Sequence, residues 1–442
     1  MLNALKNSLE SINMTDVHAW IGRLVIWTAA TITGLMIVLF ARATEHAIAF
    51  FYDLQSAVWW LPLIIMPLVG IFIVWATKRW FNGAAGSGIP QTMAALSYAE
   101  QQPIGHLVSI KIALSKMCLV TLGLAAGFSA GREGPSVQVG ASIMHACRRF
   151  LPQHFQLDPK HLILAGGAAG ISAAFNTPLA GIIFAIEELS RKFEQRTNGV
   201  MISAIVLSGL VSISLQGNYT YFGSLKVSPI DTAILLPVLI SGLVCGVFGG
   251  LFSKTLIELT ENLPGKITSL RLRHPLYWTG FCALLVAGLG IVSHGAANGS
   301  GYSLTKAMLN GSINETWYYP IVKYLSTIFT YLSGIPGGIF APALSIGAGI
   351  GYDLASIFHY PHLTIAFSAL CMAGFLAGVT QAPITSFIIV MEMIDGHEMV
   401  ISLMAVSLIA TVTSRIFSPP LYSVLARQFH YEGPAQKRLE QT

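Results

Sequence analysis

The sequence predicts an all-α polytopic membrane protein made of two repeated halves, with helices that break inside the bilayer. Composition, recurrent uncharged stretches and self-similarity carry that prediction. Of 442 residues, 54% are hydrophobic and only 10% charged, where soluble domains are about a quarter charged. The mean hydropathy is +0.65. Uncharged stretches able to cross about 30 Å of hydrocarbon recur at residues 57–77, 162–186, 200–225, 233–253, 325–352 and 364–391. At least about ten helical segments follow from such lengths.

Glycine and proline interrupt several of these stretches, at Ser333 to Pro342 and Asn176 to Pro178. Backbone groups freed at such breaks need partners from protein, water or ligand, so broken helices point inward. Polar residues Asn3, Lys6, Asn7, Ser8 and Glu10, with no small-residue cleavage site, predict an interfacial or cytoplasmic helix over residues 1–17 rather than a signal peptide. A single transport domain is expected over 18–427, its halves at about 18–228 and 229–427, followed by a short cytoplasmic tail at 428–442. Cys118, Cys147, Cys245, Cys282 and Cys371 stand singly and read as packing residues without disulfide or metal-ligand spacing.

The formal charge of +5 resides largely in short connections: Lys78 and Arg79; Arg148 and Arg149; Arg191, Lys192 and Arg196; Lys266, Arg271 and Arg273. The positive-inside rule places these loops in the cytoplasm, and segments 216–230 and 294–316, poor in Lys and Arg, on the other side. Both termini are expected in the cytoplasm and the chain in the cell's inner membrane. Lipid is the expected surroundings, and nothing calls for nucleic acid, a cofactor or a metal.

Three segments recur in the same order. GSGIPQTMAAL from Gly86 to Leu96 lies over GSGYSLTKAML from Gly299 to Leu309, a shift of 213. GREGPSVQVGA from Gly131 lies over GIFAPALSIGA from Gly338, with Pro135 on Pro342 and Gly140 on Gly347, a shift of 207. TPLAGIIFAIE from Thr177 lies over APITSFIIVME from Ala382, with Glu187 on Glu392, a shift of 205. Ordered matches with slowly drifting offsets mark a duplication. In membrane transporters, duplicated halves usually pack with opposite orientation around a midplane site formed by discontinuous helices.

Each matched segment places glycine and proline at a helix start. Free N–H groups and the helix dipole there form an anion site without a formal cation, and partial charges let a bound ion leave again. The competing reading of a single such motif is close helix crossing or a kink, as at 242–250; three paired motifs favour the anion site. Glu133 and Arg132 are the only charges between Leu119 and Met144. An ionisable group at membrane depth marks function by default. Its alternative is an Arg132–Glu133 ion pair closing a helix end, although adjacent helical residues do not face each other. A carboxylate at a helix N-terminus competes with an anion when charged and withdraws when protonated, which links proton and anion movement. Glu187 and Glu188 end an uncharged stretch beside the basic cluster. They read equally as interfacial salt-bridging groups or as a cytoplasmic proton port.

At Gly86-Ser-Gly-Ile-Pro90, Gly131-Arg-Glu-Gly-Pro135, Gly337-Gly-Ile-Phe-Ala-Pro342 and Pro420-Leu-Tyr-Ser423, the sequence resembles the CLC family of chloride channels and proton-coupled chloride antiporters, over residues 20–427. The resemblance implies the CLC-like inverted fold, a homodimer with one anion pathway per subunit, and chloride and protons as substrates. It implies hydroxyls of Ser87 and Tyr422 and backbone N–H groups of Ile339 and Phe340 around a central anion. It makes Glu133 the external gate and Glu188 the internal proton-transfer glutamate. Tyr422 without the resemblance reads as part of an aromatic belt. Ser87, where nitrate-selective members tend to carry proline, points to chloride. Gln91 departs from the glutamate of many members and is expected to alter electrostatics near the intracellular vestibule. The paired regulatory domains of eukaryotic members do not occur in these 442 residues.

Two rivals remain at this stage. Gly127-Phe-Ser-Ala-Gly131 fits the Gly-x-Ser-x-Gly pattern of serine hydrolases, which needs a strand, turn and helix or a nearby histidine base. A passive chloride channel would use the same fold; the pairing of Glu133 with Glu188 favours antiport.

Overall fold

The computed structural model describes residues 17–99, 104–153, 157–190, 198–217, 220–224, 234–261, 270–312 and 317–429. All but the last residue of the expected helix at 1–17, nearly all of the tail, and the basic residues Arg191, Lys192, Arg196 and Lys266 lie outside the described residues.

The described residues hold seventeen α-helices and no strand beyond one isolated bridge. The first set comprises α1 (Val17–Ala57), α2 (Pro62–Trp80), α3 (Ile89–Tyr98), α4 (Ile110–Ala125), α5 (Glu133–Ala146), α6 (Pro159–Phe175), α7 (Pro178–Phe184) and α8 (Asn198–Gln216). The second repeats it: α9 (Leu235–Glu261), α10 (Pro275–Val292), α11 (Tyr302–Leu309), α12 (Tyr319–Leu332), α13 (Phe340–Ile357), α14 (Thr364–Thr380), α15 (Pro383–Ile394) and α16 (Val400–Ser414). A final short helix, α17 (Leu421–Arg427), follows. Eight helical segments among the described residues are long and apolar enough to cross a membrane. Helix α3, with ten residues, spans about 15 Å and α11 about 12 Å at 1.5 Å per residue, too short to cross.

Breaks appear where glycine and proline predicted them. The stretch 162–186 divides at Asn176, which adopts φ +58° and ends α6, and Pro178 opens α7. At the matching place Gln381, φ +57°, ends α14 before Pro383 opens α15. Residues 333–339 separate α12 from α13. Helix α1 was not among the expected spanning stretches, although residues 24–41, between Arg23 and Arg42, form an uncharged apolar run long enough to cross. At 41 residues it is about 60 Å long, longer than the roughly 30 Å hydrocarbon core is thick.

Crossings between helices repeat as well. A Cβ on Gly140 would come 2.2 Å from the Gly166 carbonyl, and one on Gly347 would come 2.4 Å from that of Cys371. Glycine is required at both crossings for backbone contact. Four cysteines are buried, as packing residues should be, and Cys118 is exposed.

The halves exchange matching contacts, as a two-fold relation demands. Gly131 N donates to Gly338 O and Gly338 N to Gly131 O, both at 2.7 Å, forming the isolated antiparallel bridge. The Glu187 carboxylate accepts from Ile384 N (3.1 Å) and Thr385 N (2.6 Å), at the start of α15. Its repeat mate Glu392 accepts from Leu179 N (3.2 Å) and Ala180 N (2.7 Å), at the start of α7. Each half thus caps a helix of the other with an acid that complements its dipole. Glu187→Ala and Glu392→Ala are expected to destabilise the protein by similar amounts, about 1 kcal/mol each, in denaturant unfolding in detergent. A loss at one position with none at the other would contradict the reciprocity.

Candidate functional site

The segment leading into α3 turns sharply through Gly86 (φ +64°) and Gly88 (φ +109°), which puts Ser87 ahead of the helix start. Every carbonyl from Gly83 to Gly86 is held. Gln138 Nε2 donates to Gly83 O at 2.8 Å. Lys116 Nζ donates to Ala84 O (2.9 Å), Ala85 O (3.4 Å) and Gly86 O (2.6 Å). Gly337 N donates to Gly86 O at 3.1 Å, tying this turn to the segment before α13. Gln91 completes the arrangement: its Oε1 accepts from Gly88 N at 2.9 Å and its Nε2 donates to Ala85 O. The residue is fully buried. Its side chain thus ties Gly88 N to Ala85 O across the Ser87 turn. A glutamate there could accept from Gly88 N, but an ionised carboxylate could not donate to Ala85 O.

Helices α5 and α13 begin beside this turn. A Cβ on Gly134 would meet Ser87 Oγ at 2.5 Å and one on Gly88 would meet Gly134 O at 2.6 Å, so the two helix starts touch through glycine. The Gly131–Gly338 bridge fixes the start of α13 against that of α5. In the first turn of α13, the N–H groups of Ile339, Phe340 and Ala341 have no carbonyl one turn back to bond. Ile339 and Phe340 are both buried.

Glu133 is buried as the first residue of α5. Its carboxylate turns toward the amides of Ala341, Arg132 and Glu133 itself, yet among the described residues neither oxygen closes a bond of full hydrogen-bond geometry. Arg132 does not form the ion pair with Glu133 considered from sequence. It reaches into α1, where Nη1 donates to Glu45 Oε1 (2.8 Å), Ala41 O (2.8 Å) and Thr44 Oγ1 (3.2 Å). A cleft of about 390 Å³ lined by Glu45, Tyr52, Arg132, Tyr221, Ser300 and Tyr302 reaches Glu133.

Tyr422, in the first turn of α17, is fully buried, and its ring stacks on Phe340 with centroids 6.1 Å apart and planes at 14°. Phe184 and Phe175 pack around Phe340. The Tyr422 hydroxyl turns toward Ser87 and lies within electrostatic range of Glu188, Tyr331 and Glu133. Among the described residues, neither the Ser87 nor the Tyr422 hydroxyl closes a bond of full hydrogen-bond geometry. The structure thus brings Ser87, Ile339, Phe340, Tyr422, Glu133 and Glu188 into one neighbourhood.

The adjacent glutamates divide in role. Both lie on a π-helical turn, Ala185–Ser190, that continues α7. Glu187 caps α15 as described, whereas Glu188 is buried close to Tyr422. The wider π turn, common at functional positions, accommodates two neighbouring acids with different surroundings. Ser129 of the hydrolase-like motif shares its hydroxyl with Thr327 Oγ1 at 3.0 Å, and its N–H donates to Thr330 Oγ1. No group of metal-binding side chains occurs among the described residues. Sequence reasoning missed Lys116, Arg132's partner Glu45 and the bracing role of Gln91. Lys116 was legible in principle: the 207-residue offset that pairs Gly131 with Gly338 places it on Lys323.

The family profile described as voltage gated chloride channel matches residues 69–415. The H(+)/Cl(-) exchange transporter ClcA of Citrobacter koseri is 31% identical, covering 91% of this chain and 88% of the relative. That of Yersinia pestis is 32% identical over 90% of this chain and 85% of its own. A solved slow cyanobacterial Cl-/H+ antiporter shares the fold with a TM-score of 0.77 at 23% identity, covering 92% of this chain and 97% of that one. A CLC-type fluoride/proton antiporter does so with 0.77 at 24% identity, over 92% and 98%. With two inverted halves, helices broken at their junction and relatives this similar along nearly the whole length, the chain belongs to the voltage gated chloride channel family, the CLC proteins.

Proposed function

We propose that this multi-pass membrane protein exchanges chloride for protons. The observation that carries the reading is the pair of buried hydroxyls, Ser87 and Tyr422, which face each other beside the first-turn amides of Ile339 and Phe340 and close no bond of full hydrogen-bond geometry among the described residues. Donors in a water-poor place, with no lysine or arginine side chain among them, suit an anion that must bind and leave. The relatives described as H(+)/Cl(-) exchange transporters support chloride and protons as the substrates.

Glu133 is the external gate in this reading. Charged, its carboxylate lies against the α13 amides where an anion would bind; protonated, it yields that place to chloride. Like-charge repulsion makes the two ligands compete and so couples them. The cleft at Glu133 is lined by Tyr221 and by residues 300–304, from segments that the charge pattern puts outside. Glu188 is the internal proton-transfer group, and the Tyr422 hydroxyl lies electrostatically close to both acids. The functional unit is a homodimer in the inner membrane with both termini cytoplasmic, its subunits formed by repeat halves at about 18–228 and 229–427. Helices α8, α7, α15 and α16 pack in that order and leave Leu179, Val206, Leu210, Ile384, Ile401 and Val412 exposed, an apolar face suited to a second subunit.

In sealed liposomes, an imposed chloride gradient should drive protons against their own gradient; protons that only follow their gradient would instead describe a passive channel. Glu133→Gln should abolish proton pumping and make any remaining chloride flux insensitive to pH. Glu188→Gln should keep chloride flux while losing protons. Intact pumping in either variant would remove that residue from the pathway. Ser87→Ala and Tyr422→Phe should each weaken chloride binding about three- to tenfold by calorimetry, the effect of one hydrogen bond; unchanged affinity would take the hydroxyl out of the site.

A further inference from the structure

Two lysines stand fully buried in the apolar interior, and neither has a place in the exchange scheme: Lys116 on α4 and Lys323 on α12. They are repeat mates by the 207-residue offset. Lys116 Nζ binds the carbonyls of residues 84, 85 and 86. Lys323 Nζ binds those of 297 (3.2 Å), 298 (3.1 Å) and 299 (2.7 Å), which the 213-residue offset places on 84, 85 and 86. The glycines of the two turns match as well: Gly86 and Gly299 at φ +64° and +62°, Gly88 and Gly301 at +109° and +83°. Each half carries the same device, an ammonium with three donors matched to three consecutive carbonyls of a left-handed turn.

A buried ammonium costs several kcal/mol unless its donors are satisfied, and three carbonyls pointing at one spot repel one another without a cation between them. The device therefore holds as a unit, and the lysine fixes the direction of each carbonyl it binds. Gly86 O belongs to the peptide whose nitrogen is Ser87 N. The same oxygen accepts from Gly337 N, in the segment that leads to Ile339 and Phe340. Through one carbonyl, Lys116 orients the Ser87 peptide and the start of α13 together.

We propose that Lys116 is a positioning residue for the anion site, setting the Ser87 hydroxyl against the Ile339 and Phe340 amides without touching the ion. The proposal rests on the reading of those groups as the chloride site. Lys323 makes the same number of bonds to a turn whose serine, Ser300, accepts from Tyr302 N at 3.3 Å and so caps its own helix. It serves as the burial-matched comparison.

The test measures chloride affinity by calorimetry and unfolding temperature side by side for the full-length wild-type protein, Lys116→Met and Lys323→Met, with Lys116→Gln, which keeps one amide donor group, as the variant to use if the methionine protein does not fold. Both lysine substitutions should lower the unfolding temperature. Lys116→Met, or Lys116→Gln in its place, should weaken chloride binding about tenfold, and Lys323→Met by much less. Wild-type affinity in a folded Lys116 variant, or equal weakening by both lysines, would overturn the positioning role and leave only general loosening. If the wild-type protein itself binds no chloride, the reading of the site fails instead.

Discussion

The reciprocal hydrogen bonds between Gly131 and Gly338 are the contact on which the arrangement depends. Each glycine stands two residues before a helix start, and the pair holds α5 and α13 end against end. A side chain would crowd them: a Cβ on Gly338 would lie 3.1 Å from both Gly131 O and Gly134 N, close enough that the neighbouring backbone would have to shift by a few tenths of an ångström. The two glycines let the helix starts come this close without such a shift. Once they are, the uncapped amides of both helices fall in one small region of low dielectric, where their partial charges act on an ion far more strongly than in water.

From that junction the two copies diverge. The frame that pairs Gly131 with Gly338 pairs Glu133 with Phe340. In the first half the position holds an acid that can take or release a proton. In the second it holds an aromatic ring that stacks on Tyr422 and closes one wall of the site. The glutamate pair farther along the chain remained symmetric and kept a structural duty, with Glu187 and Glu392 capping helices across the interface. Glu188, one residue on, is opposite Met393 in the same frame. Symmetric residues hold the halves together, and the residues found in one copy only are those assigned to proton movement.

Much of this was legible in the sequence because membrane helices leave a strong compositional trace and because glycine and proline mark breaks for steric reasons. The ends of α6 at Asn176 and of α12 near Ser333 fell where those residues predicted. Helix α1 carries four charges whose surroundings composition does not reveal; one of them, Glu45, is the partner of Arg132. Residue types also did not separate Glu187 from Glu188, since the difference lies in which helix end each acid meets. Tyr422 could be named only through family resemblance, because its neighbours Ser87 and Phe340 are distant in the chain. Gln91 was noticed as a departure, but its hydrogen bonds to both sides of the Ser87 turn are a property of three dimensions.

The central claim is that the junction of the two halves forms the anion site. Crystals grown with bromide in place of chloride test it most directly, since the anomalous signal of bromide locates the ion without reference to protein density. The account predicts a peak within hydrogen-bond reach of Ser87 Oγ, Tyr422 Oη and the amides of Ile339 and Phe340. Bromide found only elsewhere, with those four groups engaged by protein or water, would contradict it.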